Sequence, residues 1–99
     1  YKTSKSMSQD REHVEAIRRL LQKDCIYREP GLSREALAKR LGISESQASR
    51  IINTYFNKTF NELVNEYRVS EAKERLVTED AQVTVIAFDV GFSSIASFN

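Results

Sequence analysis

Val14, Ile17, Leu20 and Leu21 recur at the spacing of one face of an α-helix, with polar and charged residues between them. The pattern predicts a first helix capped by Ser8. Asp10 and Glu12 fall in its first turn, where the positive end of the helix dipole favours carboxylates. The helix should stop near Asp24, because YREPG at 27–31 holds the only proline of the chain, followed by a glycine. Residues 1–7, YKTSKSM, show no periodicity and are expected to be a linker from an upstream region.

LSREALAKRLGISESQASRIINTYF, residues 32–56, encodes two short helices. Ser33 is a suitable N-cap, Leu37 and Leu41 share a face, and Gly42 ends the first helix. Ser44 caps the second, which turns Ala48, Ile51 and Ile52 inward. Ala38 lies four residues before Gly42, where helices crossing steeply leave no room for a larger side chain, and Ile43 plugs the turn. The set, in register, predicts a helix-turn-helix unit over residues 8–58.

TFNELVNEYRVSEAKERLV, residues 59–77, predicts a long bridging helix. Thr59 and Glu62 form a T-x-x-E capping box. Phe60, Leu63, Val64, Tyr67, Ala72 and Leu76 keep one apolar stripe. Glu71 and Arg75 are spaced for an i,i+4 pair on the outer face. TEDAQ at 78–82 is expected to be a loop.

The last segment repeats the first unit. Ala87 precedes Gly91 by four residues, as Ala38 precedes Gly42. Ile86 matches Leu37, Val90 matches Leu41 and Phe92 matches the plug Ile43. With one extra residue in the turn, Ser94 corresponds to Ser44 and Phe98 to Ala48. Two copies of one motif raise the weight of each. The predicted fold is all-α and homeodomain-like: two helix-turn-helix subdomains joined by a long central helix. The second, residues 78–99, is expected to be truncated, since Asn99 is only as far along its helix as Ser49 is along the first.

Composition narrows the function. One Cys and one His exclude an internal disulfide and leave too few ligands for a zinc site. A histidine-dependent triad is as hard to assemble, and no glycine-rich phosphate loop is present. An enzyme is disfavoured, and no metal or cofactor is expected. A net charge of +1 permits nucleic-acid binding without arguing for it, so any DNA affinity must come from local placement of charge.

EYRVSEAKERL in the bridge and IAFDVGFSS in the second unit, with Arg68, Ala72 and Leu76 leading into Ile86 to Phe92, resemble the AraC/XylS family of bacterial transcription regulators. The resemblance implies a cytoplasmic DNA-binding module that acts near promoters, usually as an activator. Its implied partners are double-stranded DNA, RNA polymerase and a sensing or dimerising region upstream. The lead-in YKTSK resembles the linker of a subset whose preceding portion is a membrane or signalling module.

Ser46, Gln47, Ser49, Arg50 and Asn53 lie opposite the core face of the second helix and are expected to read bases. Arg50 suits a bidentate contact to guanine, and Gln47 or Asn53 one to adenine. Ser46 and Ser49 are short, which places weight on Arg50 and on bridging water. Matched by register, Ile95, Ala96 and Asn99 are the readers of the second unit. Phosphates are expected at the helix starts of Ser33 and Thr59 and at Arg34, Lys39 and Lys58. For Arg68, a contact that positions the bridging helix is preferred to phosphate. The aromatic residues are expected to pack. The competing function is a helix-turn-helix fold used for protein–protein interaction without sequence reading.

Overall fold

A computed structural model describes residues 2–78 and 82–92, with side chains from residue 9 onward. Among the described residues the regular structure is entirely helical: α1 (Lys2–Gln22), a 3-10 turn (Ile26–Arg28), α2 (Arg34–Leu41), α3 (Glu45–Ile51), a π-turn (Ile52–Phe56), α4 (Phe60–Thr78) and α5 (Val83–Asp89).

The three caps form where local chemistry put them. Ser33 Oγ accepts from the Ala36 amide, and Gly42 closes α2 at φ 72°. Ser44 and Gln47 make a reciprocal capping box at the start of α3. Thr59 and Glu62 make another at α4, with bonds of 2.9 and 3.1 Å. Both satisfy amides that a helix start otherwise leaves bare.

Three expectations are corrected. Helix α1 runs from Lys2, so residues 2–7 are helical and Ser8 lies inside the helix instead of capping it. No glycine or proline interrupts this stretch, and extending an existing helix costs far less than nucleating one. Glu71 is not an outer-face partner of Arg75: it accepts from Tyr27 Oη and Arg28 Nε, feels Arg75 as a nearby charge, and Arg75 reaches Asp89. Tyr55 and Phe88 are 39% and 48% exposed and not on inward stripes. For Tyr55 the reason is the π-turn. Fewer degrees of rotation per residue swing its ring back toward α1.

Two cores share α4. The larger gathers Ile17, Leu21, Leu37, Ile51, Ile52, Leu63 and their neighbours. The smaller holds Ala72, Ile86, Ala87, Val90 and Phe92, with Val69 packed against it. Fully buried Ala48 and Ala72 let helices approach closely in each core. A 19-residue helix is about 28 Å long, so α4 seats its first turns in one core and its later turns in the other.

The cores meet at the segment 27–29. Arg68 Nε donates to the Tyr27 carbonyl at 2.7 Å and Nη2 to the Glu29 carbonyl at 3.0 Å. The same guanidinium lies 5.8 Å from the centre of the Phe92 ring. Gly91, at φ 114°, presses its bare Cα side against the Tyr27 carbonyl. Arg68 is therefore a positioning residue, and burial pushes its pKa below the ordinary arginine value.

Candidate nucleic-acid interface

Helix α3 presents its core face through Ala48 and Ile51, which are 0% and 1% exposed. Ser46, Gln47 and Arg50, followed by Asn53 in the π-turn, lie on the exposed side. Ser49 is half-buried, and its Oγ accepts from Arg34 Nη1 at 3.3 Å. A shallow concavity runs over Arg34, Glu45, Ser46, Ser49, Arg50 and Asn53, with Gln47 exposed beside it. The first unit's expected readers thus share one surface. Gln47 has its Oε1 turned to the Ser44 amide in the capping box, which leaves its amide nitrogen as the outward donor.

Arg50 is exposed but paired. Its Nη1 and Nη2 donate to the two oxygens of Asp10, at 3.0 and 2.9 Å, and Tyr55 Oη donates to Asp10 Oδ2 at 2.9 Å. Asp10 is 7% exposed. Because α1 begins at Lys2, Asp10 is not in its first turn as expected; it accepts instead from the reading helix and from the π-turn beyond it. Sequence reasoning missed this role, because the partners lie 40 and 45 residues away and no local spacing signals them.

The Arg50 hydrogen bonds hold the Asp10 carboxyl below the usual carboxylate range, against the opposing effect of burial and with help from Tyr55. A carboxyl whose folded pKa is depressed contributes stability above its unfolded value of about 4 and loses it as pH falls through the folded value. Asp10→Asn is therefore expected to flatten the acid limb of a urea midpoint measured against pH. An unchanged limb would assign acid sensitivity elsewhere, Glu71 beside Arg28 being the other depressed carboxyl with a partner on a distant element.

The expected phosphate contacts are spread around this face and differ in availability. Arg34 reaches Ser49, Lys39 makes an exposed i,i+4 pair with Glu35 at 3.5 Å, and Lys58 pairs with Glu66 at 3.1 Å. Such exposed pairs are weak and exchange readily for phosphate. Ser33 and Thr59 use their side chains as caps. Glu62 takes the Thr59 amide, so the start of α4 offers phosphate only its next amides. Ile95, Ala96 and Asn99, with Ser94 and Phe98, lie outside the described residues.

Among the described residues no cluster of His, Cys, Asp and Glu is arranged to hold a metal ion. No described helix is long and apolar enough to cross a membrane.

A small residue, a left-handed glycine, a plug and a capped second helix with a polar outer face define the helix-turn-helix proteins. The family profile described as a helix-turn-helix domain matches residues 37–99. The chain belongs to this family, in its AraC-type branch of DNA-binding regulators. It is also similar to a solved structure described as a protein of unknown function from Listeria innocua. The two are 28% identical with a TM-score of 0.67, over 73% of this chain and 68% of that one. No curated protein matches the chain.

Proposed function

We propose that this chain is the sequence-reading module of a bacterial transcription regulator, binding double-stranded DNA with α3 in the major groove. The carrying observation is the exposed face of Ser46 and Gln47 on a helix fixed by its own capping box, continued by Asn53 in the π-turn. An α-helix fits the major groove, and amide side chains pair with adenine edges. Arg34, Lys39 and Lys58 border that face and grip phosphate on either side. Arg50 stands on the same face but reaches a base only by leaving Asp10. The second unit enters a neighbouring groove segment, and the two readers, coming from one chain, require no palindrome. Activation through RNA polymerase, an upstream sensing or dimerising region, a cytoplasmic setting and a membrane-attached parent complete this reading.

Titration against promoter DNA and random duplex at several salt concentrations tests it. A steep fall in affinity with salt and a preference for one duplex are expected. Asn53→Ala should cost about 1–3 kcal/mol of discrimination at one base pair, whereas Lys39→Ala should weaken all sequences alike and lower the salt slope by about one. Loss of equal size on every sequence with Asn53→Ala would move Asn53 off the bases.

One observation favours the alternative of a protein-interaction module. By register Val83 and Phe88 stand where the first unit has Arg34 and Lys39, and they are 46% and 48% exposed. Salt-independent, non-selective DNA binding would support it.

A further inference from the structure

We propose that Asp10 is a specificity-determining residue of the reading face, acting by withholding the Arg50 guanidinium from the groove. The inference rests on the DNA-reading function above and assigns a part in it to a helix that does not face the groove.

Arginine reads guanine by aiming two N–H groups at O6 and N7 together. In Arg50 the two terminal nitrogens, which reach furthest from the helix, are both engaged by Asp10. The end-on fork cannot serve a carboxylate and a guanine edge at once, so guanine is left only the side-on edge of Nε–H and one Nη N–H, whose direction Asp10 fixes. Exchange is also unfavourable from the other side. Asp10 is almost wholly buried, and without Arg50 its carboxylate would keep Tyr55 as its remaining hydrogen-bond donor here. Losing Arg50 would leave this carboxylate without its counter-charge, so the pair is held more firmly than the exposed lysine pairs beside it.

The contact also has a geometric effect. Arg50 closes the last turn of α3, and Tyr55 lies in the π-turn that follows. Asp10 therefore ties both to α1. The unsubstituted chain reads with the shorter side chains of Ser46, Gln47 and Asn53. A guanine-seeking arginine is present on the face and is held in reserve by one carboxylate.

Selection from a randomised double-stranded DNA pool tests this with four proteins: the unsubstituted chain, Asp10→Asn, Arg50→Ala and the double variant. Asn keeps the size of Asp and removes the charge. The unsubstituted chain and Arg50→Ala are expected to select the same motif. Asp10→Asn should add a preference for guanine at one position of about tenfold, and the double variant should lose it. The proposal is overturned if Arg50→Ala relaxes one base pair in the otherwise unsubstituted chain, or if Asp10→Asn selects an unchanged motif. Failure of the unsubstituted chain to select any motif would instead remove the DNA-reading function, and this inference with it.

A measurement without substitution decides the case should Asp10→Asn not fold. The Arg50 side-chain nitrogen resonances and the Asp10 carboxyl carbon are followed by NMR while the selected duplex is added. Resonances that stay at their free positions support the proposal, and a joint shift of Arg50 and Asp10 overturns it.

Discussion

Gly91→Ala is expected to destabilise the chain by about 3 kcal/mol or more, a large part of the stability of a small domain. Two independent penalties act at this position. Its φ of 114° lies in a region that side chains with a Cβ rarely adopt. An added Cβ would also collide with the Tyr27 carbonyl oxygen and lie 2.8 Å from Arg68 Nε. Neither neighbour yields cheaply, since one is backbone and the other is fixed by two hydrogen bonds. Gly42 provides the control. It too has a positive φ, 72°, but no atom lies within 4 Å of a built Cβ, so Gly42→Ala should cost about 1 kcal/mol from strain alone. Urea unfolding of the two variants measures the difference. Equal losses would show that Gly91 is not in close contact with the Tyr27 carbonyl.

Arg68→Ala carries the second large effect, about 3 kcal/mol. A hydrogen bond from a charged group contributes about 1.5–3 kcal/mol, and two are lost together with the contact to Phe92. Arg68→Lys keeps the charge but not the fork, so it should recover less than half. Because Arg68 and Gly91 meet the same carbonyl, their losses should be strongly non-additive in a double-mutant cycle. Additivity within about 0.5 kcal/mol would separate the two contacts. Hydrogen exchange should accelerate at residues 86–92 while that of α2 and α3 stays slow, since the lost contacts join the smaller core to the larger.

What the sequence made legible was local. Ser33, Ser44 and Thr59 could be placed as caps because a cap is decided within four residues. Ala38 with Gly42, and Ala87 with Gly91, could be read because a steep helix crossing imposes its own spacing. The role of Arg68 was also within reach. The readers of α3 could be named as a set, but not the differences among them. Gln47 is half-committed to its capping box, Ser49 to Arg34, and Arg50 to Asp10. The last two are tertiary, with partners 15 and 40 residues away; Arg28 and Glu71 are likewise 43 residues apart, where charge spacing along α4 pointed Glu71 at Arg75. The start of α1 was missed for another reason. Ser, Lys and Met neither demand nor forbid a helix, so periodicity was silent where the backbone simply continued.

The π-turn at Ile52–Phe56 bears on how a recognition code can be transferred to this chain. Each i→i+5 turn takes in one more residue than counting by α-helical spacing allows. Up to Ile51, positions aligned with another reading helix face the same way. Past it, the surface lags progressively, by about one residue at the end of the turn. Asn53 and Thr54 therefore cannot be assigned base partners by counting on from Ser46, and a one-residue deletion in this stretch would act as a rotation of everything after it rather than as a loss. Sequence comparison would score such a deletion as a minor gap, whereas for the duplex it would present a different set of side chains.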